Sequence, residues 1–162
     1  MKRTLAGLAD GAKFNMIGFS SDVRPWKKGV VVRDAKTSKE AMDWVEKQKV
    51  VGSTNIYDAL ETAFKLMGVG ASADKRYEPV YDTIFFMTDG FPTSGKVTDR
   101  AQILGEVKRW NEGRKIRIHV VGMGGKAKGR GGGGGPGGPG GDIDKDFLQK
   151  LAEQNDGQVV FR

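Results

Sequence analysis

The stretch from Asp82 to Ser94 constrains the fold more than any other. Ile84, Phe85, Phe86 and Met87 form an unbroken apolar run, too short for a helix and bounded by Asp82 and by Asp89 with Gly90. That is the pattern of a strand buried on both faces inside a parallel sheet. Pro92 carries no amide hydrogen with which to continue a ladder. The strand therefore ends near Thr88, Asp89 and Gly90, with a carboxylate at its carboxyl end. In open α/β sheets this is the edge at which ligands bind.

The remaining elements alternate around that strand. Strands are predicted over Phe14 to Phe19, stopped by Ser20, Ser21 and Asp22, and over Val30 to Val32, near a sheet edge. Two more are predicted over Ile116 to Val121 and Val159 to Phe161. Residues 2–9 read as the last turns of a helix, with Leu5 and Leu8 on one face and Asp10-Gly11 as the stop. Ser38 can cap a helix in which Ala41, Trp44, Val45 and Gln48 share a face. After a loop from Val50 to Asn55, Ile56, Leu60, Ala63, Phe64 and Met67 recur at helical spacing up to Gly68. Asp99 caps a helix carrying Ile103, Leu104, Val107 and Trp110, and Asp144 caps one carrying Phe147, Leu148 and Leu151 that stops at Asn155, Asp156 and Gly157. Strands alternating with helices imply parallel pairing and a three-layer α/β sandwich. A chain of 162 residues is expected to form one domain. The glycine-rich tract at about 123–142 is expected to be a flexible insertion within it.

Composition narrows the chemistry. With no cysteine and one histidine, thiolate and imidazole-rich metal sites are excluded, which leaves a hard cation held by oxygen. The net charge of +7 is spread along the chain, with local clusters at Lys108-Arg109 and from Arg114 to Arg117, and reads as a solvated basic surface. Arg130 alone abuts the glycine run, a thin basis for RNA binding. Gly122 to Lys126 follows a strand, but no helix begins there to gather amides around a phosphate. No stretch is long and apolar enough to span a membrane, and the apolar residues after Met1, Lys2 and Arg3 are interrupted too early for a signal peptide.

At the carboxyl edge the oxygen donors are Asp89, at the end of the central strand, and Thr54, in the loop before the helix of Ile56. Both are suitable ligand types for magnesium. Asp-Gly is equally a common turn pair, and Thr54 or Asn55 can serve as a helix cap. Asp58 suits the first turn of its helix, where the dipole favours an acid. His119, in mid-strand, reads as a packed residue.

Three segments occur in order with helices between them: Gly52 to Leu60, Asp82 to Thr93 with Thr88-Asp89-Gly90, and Ile116 to Gly122. Together they resemble the von Willebrand factor type A domain, a Rossmann-like three-layer sandwich with a mostly parallel sheet. Phe14 to Ser21 resembles an earlier strand of that fold, and Phe147 to Phe161 its last helix and strand. The resemblance implies a metal-ion-dependent adhesion site for magnesium or manganese, with Thr54 matching its threonine and Asp89 its later aspartate. It also implies a protein partner whose own carboxylate completes the metal shell.

The D-x-S-x-S part of that site does not occur in this chain. By the resemblance the sequence begins in the helix that follows the motif, so the expected fold is an N-terminally incomplete one, without its first strand. That loss should leave apolar strand edges facing a gap. The expected function is an adhesion-type protein-binding module, metal-dependent in its complete form, with no catalytic residues. The alternatives are a hydrolase or phosphoryl-transfer enzyme using Asp89, and a metal-free scaffold whose glycine-rich arm contacts nucleic acid.

Overall fold

A computed structural model describes residues 5, 7–48, 52–66, 82–88, 91–124 and 143–162. Asp89, Gly90, Val50, Val51, Met67, Gly68, residues 2–4 and the bulk of the glycine tract lie outside the described residues.

The chain opens with a long antiparallel hairpin. Strands β1 (Lys13–Phe14) and β2 (Ile17–Phe19) form its first arm, and β3 (Val23–Pro25) and β4 (Val31–Val32) its second. Pairing runs β1 with β4 and β2 with β3. The single strand expected from Phe14 to Phe19 is thus broken at Asn15. Its side-chain amide donates to Lys27 O and Gly29 O, both at 2.9 Å, while its Oδ1 accepts from Met16 N and Lys27 N. A polar side chain that can bond to neighbouring backbone competes with the ladder. Here it holds a bulge between the two paired regions. The strand expected over Val30 to Val32 is confined to Val31 and Val32, and β3 was not foreseen.

Helix α1 (Ala35–Glu46) follows. Its cap is Asp34, not Ser38: Asp34 Oδ1 accepts from Thr37 N at 2.7 Å and Thr37 Oγ1 accepts from Asp34 N at 2.9 Å. This reciprocal box satisfies two amides at once and starts the helix a turn early. Ala41 of α1 is fully buried, and Trp44 and Val45 pack beside it against Phe14 and Met16. Leu5, Leu8 and Trp26 complete this smaller core.

Helix α2 (Ile56–Leu66) aligns Ile56, Leu60 and Phe64 one turn apart, each at most 1% exposed. Strand β5 (Thr83–Thr88), helix α3 (Arg100–Asn111), strand β6 (Arg117–Gly122), helix α4 (Lys145–Glu153) and strand β7 (Val159–Phe161) follow. Strands β5, β6 and β7 pair in parallel in that order. Phe86, Ile118 and Val120 meet the buried faces of α2, α3 and α4 in the main core. Burying each such side chain stabilises by about 1.5–3 kcal/mol.

The central strand differs from its expected environment in one respect. Phe86 is buried, but Phe85, on the opposite face, is 51% exposed and stacks on His119 at 5.4 Å. On that face Val160 of β7 and the nearby Met123 are also exposed. Among the described residues the strand is covered on the face of Phe86, while Phe85 on the other face stays half exposed. His119 is a packed residue, as its mid-strand position suggested: its Nδ1 accepts from Gln158 N at 3.1 Å.

Candidate functional site at the carboxyl edge

Three segments converge where β2 and β5 end: the end of β2, the loop entering α2 and the segment after β5. Ser20 O accepts from Asn55 N at 2.9 Å, which ties the end of β2 to the loop entering α2. That loop is tied in turn to the segment after β5. Thr54 N donates to Thr93 Oγ1 at 2.8 Å, and Thr93 N donates to Thr54 O at 3.0 Å.

Asn55, 4% exposed, is the hub of this edge. Its Oδ1 accepts from Asp58 N at 3.1 Å, which caps α2. Its Nδ2 donates to Asp58 Oδ2 at 2.8 Å and to Ser21 O at 3.4 Å. Ser21 and Ser53 hydroxyls lie 3.0 Å apart, and Ser53 N donates to Ser21 Oγ at 3.2 Å. Two glycines permit this closeness. Gly52 (φ +101°) would bring a Cβ within 2.4 Å of Ser21 Oγ, and Gly95 (φ +103°) would bring one within 2.0 Å of Asn55 Oδ1. Neither position accepts a side chain without strain.

On the far side of the edge the helix N-termini of α3 and α4 are joined. Arg100 pairs with Asp144, the N-cap of α4, whose Oδ1 accepts from Phe147 N. Asp144 is nearly buried, and its carboxylate holds the Arg100 guanidinium even more firmly in its charged form. The guanidinium also lies 5.9 Å from the Phe91 ring centroid.

Thr54 stands where the sequence placed it, at the carboxyl edge. Its backbone is fixed on both sides by Thr93, while its own hydroxyl bonds to no described residue. Asp89 lies outside the described residues; Thr88 immediately before it is buried, and its carbonyl accepts from Met123 N at 2.8 Å. Asp22 pairs outward with Arg24 at 3.2 Å, both exposed. Asp58 serves as both first-turn acid and partner of Asn55.

Sequence reasoning did not find Ser21, Ser53 and Thr93 as members of one hydroxyl cluster, nor Asn55 as its hub. The available signal was two runs of hydroxyl residues beside glycine, Gly52 to Thr54 and Thr93 to Gly95. Among the described residues no three carboxylate, imidazole or thiolate side chains gather as a metal cluster. The described oxygens at this edge are hydroxyls and carbonyls with the single carboxylate of Asp58, which fit a hard cation in kind.

The architecture is that of an α/β domain in which a parallel sheet and a hairpin deliver loops to one edge. The chain belongs to the von Willebrand factor type A domain family, whose sequence pattern matches residues 1–130. It is similar to inter-alpha-trypsin inhibitor heavy chain H1 of Mesocricetus auratus, 25% identical over 96% of this chain and 15% of that protein. It is likewise similar to heavy chain H4 of Homo sapiens, 27% identical over 96% of this chain and again 15% of the relative. The chain thus spans about one seventh of the length of these relatives. Among solved structures, a von Willebrand factor type A protein from Catenulispora acidiphila superposes with a TM-score of 0.72, at 18% identity, over 99% of this chain and 32% of that one. This agreement in fold bears out the α/β sandwich expected from the sequence.

Proposed function

We propose that this chain is a protein-binding module of the adhesion type, and that it holds its partner at the carboxyl edge of β5 through magnesium or manganese. Thr54 and Asp89 are the residues that would hold the ion, and a carboxylate of the partner would complete its shell. The ion would supply a positive centre that a partner's acid can ligate directly.

The observation that carries this reading is the state of Thr54. Its main chain is locked by two hydrogen bonds to Thr93, yet its hydroxyl is left without a bond to any described residue, beside the end of the strand that leads into Asp89. A positioned oxygen with spare capacity is what a ligating group requires. Binding rather than catalysis is favoured by His119, whose ring nitrogen and face are occupied by Gln158 and Phe85 away from this edge.

The test is a thermal melt in chelator and then in magnesium or manganese, with Thr54→Val and Asp89→Ala alongside. An ion bound only by the folded state stabilises by about 2.7 kcal/mol at a hundredfold excess over its dissociation constant. The gain is expected in the parent chain and should vanish in both variants. A cooperative melt unmoved by either ion would overturn the proposal.

A further inference from the structure

The segment from Phe91 to Val97, between β5 and α3, carries neither helix nor strand, yet it is fastened along its length. Thr93 is bonded twice to Thr54: its hydroxyl accepts from Thr54 N at 2.8 Å, and its amide donates to Thr54 O at 3.0 Å. Gly95 lies against Asn55 with no room for a side chain between them. Val97 packs, partly buried, on the main core. Between Gly95 and Val97, Lys96 reaches across to α2. Its Nζ donates to Glu61 Oε2 at 2.5 Å and stands 4.0 Å from Asp58 Oδ1. Asp58 and Glu61 are three positions apart and share one face of the helix, so a single ammonium spans a turn of α2.

The acceptor is itself well fixed. Glu61 is 21% exposed, and its other oxygen takes a bond from Lys65 Nζ at 3.0 Å. The carboxylate therefore offers Oε2 in one direction, and Lys96 meets it there.

This fastening bears on the metal edge through the chain itself. Only Gly90, Phe91 and Pro92 stand between Asp89 and Thr93, and only Ser94 and Gly95 between Thr93 and Lys96. Pro92 is buried and its ring fixes φ, which stiffens the run. Ligating groups must be held within about 0.5 Å of their working positions. A slip of the segment on α2 is thus felt at Thr54 through Thr93, and at Asp89 through the stiff run before it.

We propose that Phe91 to Val97 is a strap whose seat on α2 sets the spacing of Thr54 and Asp89, and that Lys96 is its clasp. Lys96 is then a positioning residue for the ion, acting through Glu61 and the strap. This inference rests on the metal-edge reading above.

Charge alone predicts the opposite effect. An ammonium near a divalent cation repels it, so removing Lys96 would tighten binding if only its charge mattered. Removing a clasp weakens binding instead. Exposed ion pairs shift an equilibrium by up to about fivefold, which sets the scale of the change.

The test compares the parent chain with Lys96→Met and Lys96→Arg in two assays. In chelator, hydrogen exchange at the amides of Thr54 and Thr93 should be about threefold faster in Lys96→Met, and Lys96→Arg should restore the parent rate. Titration calorimetry with manganese, well below the melting temperature, should show about threefold weaker binding by Lys96→Met and parent-like binding by Lys96→Arg. Unchanged manganese affinity would overturn the proposal by reducing Lys96 to a stabiliser of the fold, and tighter binding would overturn it by leaving only charge. Unchanged exchange at both amides would overturn the clasp itself. A parent chain that takes up no manganese would overturn the metal-edge reading and with it the role of Lys96 toward the ion, while the exchange assay would still decide whether Lys96 holds the strap.

Discussion

Replacing Asn55 with alanine should cost far more than the loss of a surface amide. The side chain is 4% exposed and makes three hydrogen bonds: from Asp58 N, to Asp58 Oδ2 and to Ser21 O. Loss of the cap on α2 costs about 1 kcal/mol. Asp58, whose side chain is 23% exposed, is left with its Oδ2 stripped of that donor, while Lys96 Nζ remains 4.0 Å from its Oδ1. An acceptor left without its donor costs about 1–3 kcal/mol when fully buried, and the lower end of that range applies to this partly exposed carboxylate. The expected loss is about 2–3 kcal/mol, which for a chain of this size lowers the melting temperature by roughly 5–10 °C. Thermal and urea melts followed by circular dichroism would measure it, with an unchanged urea slope confirming that the unfolded state is unaffected. A double-mutant cycle with Asp58→Ala should return a coupling of at least about 0.5 kcal/mol. A loss under about 0.5 kcal/mol for Asn55→Ala, or strict additivity in the cycle, would refute the assignment of Asn55 as the hub.

Gly95→Ala attacks the same hub from the other side. The positive φ costs about 1–2 kcal/mol for a residue with a Cβ, and the new methyl collides with Asn55 Oδ1, so its melt should fall by at least as much as that of Asn55→Ala. Asp34→Ala should destabilise by about 1 kcal/mol through the lost capping box, whereas Ser38→Ala, inside the helix, should change a urea melt by no more than about 0.5 kcal/mol. Glu61 accepts from Lys96 Nζ at 2.5 Å, and this bond holds its carboxyl below the usual glutamate range. A depressed carboxyl pKa stabilises the fold above the unfolded value of about 4.3 and loses that contribution as pH falls through the folded value. Lys96→Met should therefore lower stability above about pH 4.3, flatten the acid limb of stability against pH, and leave the melt below the folded value comparatively unaffected.

The parallel half of the fold was legible because its signals are local and strong. The Ile84 to Met87 run, the alternation from Ile116 to Val120 and the caps at Asp99 and Asp144 each report a period or a side-chain bond within a few residues. The hairpin was less legible because its interruption depends on Asn15 reaching Lys27 and Gly29, a dozen or more residues away. The start of α1 was missed for a different reason: Asp34 and Ser38 both suit a cap, and only the reciprocal bond with Thr37 decides between them. At the edge, Thr54 could be singled out by type and place. Its companions Ser21 and Thr93 could not, because they are brought to it by the ends of two different strands. The exposure of Phe85 illustrates the same limit, since an apolar run specifies what a strand prefers to touch and not whether both faces are covered.

The presence of two separate cores has a consequence for how the chain opens. Phe14, Met16 and Ala41 are the buried residues of one, on the hairpin and α1, while α2 through α4 and the parallel strands build the other, much larger one. Among the described residues no continuous ladder joins the halves; they meet through the hydrogen bonds of Asn55, Ser21 and Ser53, the Phe19–Phe86 stack and the packing of β2 and β3 against α2. Such a division makes the hairpin with α1 one cooperative unit and the parallel sheet with its helices another. The smaller unit is expected to release first, its amides exchanging in hydrogen-exchange measurements through partial openings that leave β5, β6 and β7 intact, with the larger unit setting the free energy of global unfolding.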